Sequence, residues 1–212
     1  MNPAVTLLWP AVVAGADLEA PPGINDQLVD GIKNVVARTR VPGSDLHFVS
    51  SRLDHLPMLL ELGAPGAVDW WLNAVKQMVR SILHRGFACQ SQIDLEVAAT
   101  VLVARDGDRL PAHRHPGHHF TVVYYPRVDQ QAEPDRLNDG ALALVDDRAW
   151  RYRWQNRNPA FRDGAAFRIH PRTGLMTAFP GYVLHETNVY RGPGERVSIA
   201  ACVDVKMERE YQ

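Results

Sequence analysis

From residue 92 onward the chain breaks into short apolar segments, each bounded by Gly, Pro, Asp or Asn. They read "IDLEVAATVLVARDGD", "FTVVYYP", "GALALVDD", "GLMTAFPG" and "RVSIAACVDV". Runs this short, rich in Val and partly alternating, suit strands that lay one face on a core. Several such strands joined by turns predict a β-sandwich or jelly roll.

The residues before this region follow a different period. "NDQLVDGIKNVVARTR" puts Leu28, Ile32, Val35 and Val36 on one stripe behind a cap at Asn25 or Asp26. "PGAVDWWLNAVKQMVRSILHRG" repeats the pattern with Val68, Leu72, Val75, Met78, Val79 and Ile82, starting after Pro65-Gly66 and stopping at Gly86. Both stripes read as core-facing surfaces. "VTLLWPAVVAG" reads as a strand-like entry into the core. The expectation is therefore mainly β with N-terminal helices. One domain spans 1–212, with a strand and helices in 1–91 packing on a double-stranded β-helix (jelly roll, cupin-like) in 92–212.

Two loops interrupt the strands. "DQQAEPDRLND" at 129–139 is polar. "RYRWQNRNPAFRDG" at 151–164 carries Tyr152, Trp154 and four arginines. A loop of that length in a compact domain suits a lid or a binding loop.

Charge narrows the partners. Lys and Arg total 23 against 24 Asp and Glu, a formal net charge of −1. That balance argues against nucleic-acid binding and against a basic membrane-surface protein. The apolar N-terminus has no Lys or Arg before its apolar run, and Pro10 interrupts it, so it reads neither as a signal peptide nor as a bilayer span. A cytoplasmic protein acting on a small molecule is expected, with a homodimer left open. Cys89 and Cys202 allow a disulfide but read more readily as reduced core residues.

Four of the nine histidines fall within "PAHRHPGHHF" at 111–120. A strand sends residues i and i+2 to one side, so His113 and His115 share a face if the strand reaches Pro116. Two imidazoles on one face are two thirds of a facial metal triad, and His185 in "TAFPGYVLHETN" is the candidate third. The usual set is two histidines and a carboxylate. Either His115 takes the acid's place, or an acid elsewhere, Asp108 or Glu186, completes the site; the shared face of His113 and His115 favours three histidines. His118 and His119 read as bystanders. Past His185, Arg196 and Ser198 again stand at i and i+2. A guanidinium offers two parallel donors to a carboxylate and a serine adds a hydroxyl, so the pair suits the far carboxylate of a metal-chelating dicarboxylate.

Taken together, "HRHPGHHFTVVYYP", "GALALVDDR" and "TAFPGYVLHETNVYRGPGERVSIA" resemble the Fe(II)/2-oxoglutarate-dependent oxygenases. In particular they are similar to a small bacterial group with a His-x-His-Pro motif. The resemblance covers about 92–206. It implies a double-stranded β-helix and a dioxygenase using Fe(II), 2-oxoglutarate and O₂. It implies His113, His115 and His185 as metal ligands. Arg196 and Ser198 would bind the 2-oxoglutarate C5 carboxylate, and Tyr124 or Tyr125 would add a hydroxyl. It departs at Thr121-Val122, where Ser-Gly is usual, which sets Thr121 near the presumed pocket. It departs again at Asp147 before Arg148, where Pro is usual. Arg148, Arg168 and Trp154 are further substrate-binding candidates, fitting a carboxylate-bearing molecule such as an amino acid. The cupins are the alternative: "GDRLPAHRH" fits their His-x-His spacing and "PGYVLHETN" approximates their second motif, but Arg196 and Ser198 have no role there. A non-enzymatic jelly-roll binding module is the remaining alternative.

Overall fold

A computed structural model describes residues 11–39, 54–87, 93–129, 139–147 and 166–207. In chain order its elements are β1 (Ala14–Asp17), α1 (Ile24–Thr39), α2 (Leu56–Leu62), α3 (Pro65–Phe87), β2 (Ile93–Ala104), β3 (Leu110–His113), β4 (Phe120–Val128), β5 (Leu142–Val145), β6 (Ala166–Ile169), β7 (Leu175–Pro180), β8 (Leu184–Thr187) and β9 (Arg196–Met207). Nine strands form two antiparallel sheets, a larger one in the order β1-β7-β4-β9-β2 and a smaller one in the order β3-β8-β5-β6. The helices cover the outer face of the larger sheet. This is the expected jelly roll.

The centre of the larger sheet is buried on both faces. Along β9, Val197, Ile199, Ala201 and Val203 join the cluster formed with Ile32, Trp71, Val75 and Val79 of α1 and α3. The alternate residues face the smaller sheet, where Ala200 packs with Val123, Tyr125, Leu142, Leu144 and Phe179. β4 is therefore buried from Phe120 through Pro126, with no polar-out alternation, because each face meets a different apolar layer. Polar ties fix α1 on this sheet. The Tyr124 hydroxyl donates to Asn25 Oδ1 at 2.7 Å, and Lys33 pairs with Glu195 at 2.6 Å.

The helical stripes appear as α1 and α3. α2 was not anticipated: "LPMLLEL" is too short to show a stripe, and its first turn begins at buried His55, whose N–H bonds to Ala99 O at 2.7 Å. The loop 151–164 and most of 129–139 lie outside the described residues.

Candidate metal centre and co-substrate pocket

β3 and β8 pair so that His113 stands opposite His185. Directly paired residues leave an antiparallel ladder on the same face, so both rings enter the interior between the sheets. His115 joins them, and one ligand atom from each of the three lies within 4.8 Å of the others. Ring centroids are 4.2 Å apart for His113 and His185, 5.1 Å for His113 and His115, and 5.2 Å for His115 and His185.

The backbone sets the tautomers of two of these rings. His113 Nδ1 lies 2.8 Å from Pro111 O, and His185 Nδ1 lies 2.9 Å from Val183 O. A carbonyl only accepts, so each Nδ1 carries the proton and each Nε2 keeps its lone pair for a metal. Burial, reinforced by the neighbouring imidazoles, holds His185 down at about 3 and His115 at about 4, while the Val183 carbonyl pulls His185 the other way. Both are neutral at pH 7, the form a metal requires.

His115 does not reach the cluster by the i, i+2 alternation of one strand. The strand stops at His113 and does not reach Pro116. His115 is placed instead by Gly181, whose carbonyl accepts from the His115 N–H at 2.9 Å and whose N–H donates to His119 O at 3.1 Å. A Cβ on Gly181 would run into the His118 carbonyl and come within 2.9 Å of the His115 carbonyl, so only glycine lets the turn lie this close. Asp204 holds the far side of the turn, with His118 Nδ1 at 3.0 Å and His119 Nδ1 at 3.4 Å. Neither carboxylate alternative joins the cluster. Asp108 accepts from the Arg105 N–H at 2.8 Å, and Glu186 alternates with His185 onto the outer face of the smaller sheet.

Arg196 opens the interior row of β9, which continues with Ser198, Ala200 and Cys202. It is 1% exposed. Its Nη1 donates to Gly140 O, while Nε and Nη2 are buried without a hydrogen-bond partner. Burial pulls its pKa down, opposed by Tyr125, Tyr190 and Asp108. Gly140 has φ +64° and leaves room for the guanidinium; a Cβ there would lie 3.1 Å from the Tyr190 ring and 3.4 Å from Arg196 Nη1.

The two tyrosine candidates separate. Tyr125 faces the interior beside Arg196, and burial raises its hydroxyl pKa. Tyr124 faces the helices, hydrogen-bonded to Asn25 and edge-on to Trp70 at 5.6 Å, so it is unavailable to a ligand between the sheets. Thr121 does face the interior. It pairs with Phe179 and Cys202, and the Phe179 ring is 4.8 Å from His185. Thr121 Oγ1 is buried without a partner. Arg168 also needs correcting: it pairs with Ala143, which pairs with Glu186, a row on the outer face of the smaller sheet. Arg148, Tyr152, Trp154 and Cys89 lie outside the described residues. Cys202 is a free buried thiol, pushed up to about 11 by burial. Gly181, Gly140 and Asp204 escaped the sequence reading.

Fold and site together give a jelly roll with three imidazole nitrogens converging in its interior, a donor set that suits a transition metal. Residues 100–201, which contain all three histidines and Arg196, match the family model described as "Putative 2OG-Fe(II) oxygenase". Those residues thus carry the sequence pattern of the 2OG-Fe(II) oxygenases, whose cofactors are Fe(II) and 2-oxoglutarate; His113, His115 and His185 can hold the metal.

Solved structures show the same fold. The carbocyclase SnoK from nogalamycin biosynthesis matches with a TM-score of 0.57 at 10% identity, over 94% of this chain and 83% of that one. A prolyl hydroxylase from Trichoplax adhaerens, in complex with a hypoxia inducible factor peptide fragment, matches at 0.56 and 14%, over 91% and 83%. A prolyl-4-hydroxylase from Pseudomonas putida matches at 0.54 and 15%, over 90% and 85%. A search of curated proteins finds no significant sequence match. No helix among the described residues is long and apolar enough to cross a membrane.

Proposed function

We propose that this protein is an Fe(II)/2-oxoglutarate-dependent dioxygenase that hydroxylates a small molecule, such as an amino acid or related metabolite. The observation that carries the reading is the Arg196 guanidinium: buried, half unpaired, and inside the same sandwich as three converging neutral imidazoles. An unpaired buried cation is costly, and a carboxylate across Nε and Nη2 supplies the missing partner. The site therefore fits both groups.

His113, His115 and His185 would hold the iron. Arg196 and Ser198 would receive the C5 carboxylate, with Tyr125 as the further hydroxyl. Bound there, iron and 2-oxoglutarate would supply the oxidising chemistry toward O₂. The chain's residues supply positions and a dry interior. The carbonyls of Pro111 and Val183 fix two ligand tautomers, and Gly181 fixes the turn that carries the third. Three imidazoles leave the centre one unit more positive than a set with a carboxylate ligand, which favours a dianionic co-substrate.

Anaerobic addition of 2-oxoglutarate to Fe(II)-loaded protein should give a weak visible charge-transfer band, and Arg196→Ala should weaken the titration. Metal uptake with no band, and an oxidase activity indifferent to Arg196→Ala, would turn the assignment to a cupin-type enzyme. Because one protein of this fold was solved with a peptide, short peptides belong in the substrate screen.

A further inference from the structure

The row of the smaller sheet that carries the metal ligands does not end at His185. Its register runs His113 to His185, His185 to Leu144, and Leu144 to Phe167, crossing β3, β8, β5 and β6. Directly paired residues share a face, so Phe167 lies on the interior side with the histidines. Ile169 fixes that face independently, because it stands two residues on and packs against the inner cluster. Yet Phe167 is 63% exposed, while Leu144, next to it in the row, is 6% exposed. A phenylalanine on the inner face of an edge strand and open to solvent lies at the mouth of the sandwich.

Two inter-strand steps of about 4.8 Å put its Cα roughly 10 Å from that of His185. Leu144 between them is covered by the inner cluster, so the open apolar surface of the row is the Phe167 ring at the mouth. Beyond the histidines the row offers only Leu144 and Phe167, with no charge to pair.

We propose that Phe167 is an apolar wall of the primary-substrate subsite, and that the substrate presents an uncharged, ring-sized hydrocarbon group that packs on its phenyl face at the mouth of the sandwich. The assignment rests on the oxygenase reading and narrows it. Specificity then comes from an apolar contact on β6, with Arg168 turned to the outside of the same strand.

The test uses the full chain loaded with Mn(II) and 2-oxoglutarate, with occupancy counted from the electron paramagnetic resonance signal of free Mn(II). The probe is N-acetyl-L-phenylalanine amide, and N-acetyl-L-aspartate is the charged comparison. Paramagnetic broadening of the probe's ring protons reads residence near the metal. At equal Mn(II) occupancy, wild type and Arg168→Ala should broaden the ring lines. Phe167→Ala should do so at least fivefold less, and Phe167→Leu, which keeps an apolar wall, should retain most of the effect. The aspartate probe should broaden no more than with Mn(II) alone. Equal broadening by wild type and Phe167→Ala, or by both probes, overturns the subsite while leaving the oxygenase reading in place. Failure of the wild type to take up Mn(II) overturns the oxygenase reading, and the subsite falls with it.

Discussion

His113 and His185 face each other as a directly paired position of β3 and β8, and each donates its Nδ1 proton to the carbonyl two residues before it. The same local device is used on both strands. Each imidazole is held in one tautomer by a backbone carbonyl two residues before it, so the orientation of the two rings does not depend on distant side chains.

Replacing either member of that pair should remove the metal. His113→Ala and His185→Ala should each abolish stoichiometric Fe(II) binding, because two remaining ligands hold the ion weakly. His118→Ala should keep it, since His118 is engaged with Asp204. His115→Asp should still bind Fe(II), because it restores two histidines and a carboxylate. Elemental analysis of anaerobically reconstituted protein checks all four; iron lost from the His118 variant and kept by the His113 variant would refute the ligand set.

Arg196→Ala should weaken 2-oxoglutarate binding about 10- to 100-fold, since a hydrogen bond to a charged group contributes about 1.5–3 kcal/mol. Arg196→Lys should recover part of this, because a point charge lacks the planar fork. Calorimetric titration under nitrogen measures both. An unchanged affinity in the alanine variant would remove Arg196 from the pocket.

Gly181→Ala should push the turn carrying His115 and His118 off the end of β7. Overpacking of this kind costs about 1–3 kcal/mol, and metal affinity should fall together with stability. Urea unfolding and a metal titration on one preparation decide the point; a variant unchanged in both would mean that the turn adapts freely.

His55 gives the fold a dependence on pH away from the metal. It is fully buried, its Nδ1 accepts the Val101 N–H at 3.3 Å, and burial holds its pKa below the usual 6.5 while Asp54 pulls it up. Unfolded, it protonates near 6.5, so as pH falls below that value the unfolded chain binds more protons than the folded one. Its contribution to stability is therefore full above about 6.5 and declines below. Tm should drop between pH 7.5 and 5, and His55→Asn, whose amide oxygen can accept the same N–H without titrating, should drop less. Parallel Tm curves for the two proteins would exclude His55 as the source.

Strands β2, β4, β5, β7 and β9 and the two long helices were legible because apolar spacing reports which residues meet a core; β3, β6 and β8 have four residues each, too few to show a period. The tyrosines of β4 were not separable, because a strand covered on both faces loses its alternation, and only the Asn25 contact shows that Tyr124 belongs to the helix side. Arg168 was misplaced for a related reason: β6 has four residues, and both Phe167 and Arg168 are exposed, so hydropathy does not say which points inward. His113, His115, His185, Arg196 and Ser198 were legible because their chemistry is scarce and their spacing regular. Gly181 was not, since its role is close approach without a positive φ, which leaves no trace in local sequence.

The larger sheet joins distant parts of the chain: Ile93 pairs with Met207, and Ala104 with Arg196. Such pairing makes folding wait on long loop closures. On a ribosome, β2 emerges well before its partner. Until β8 is made, His113 and His115 have no third imidazole beside them. An ion therefore cannot template this protein as zinc templates a finger. Loading should follow folding, and a chelator should strip the metal and leave the scaffold standing.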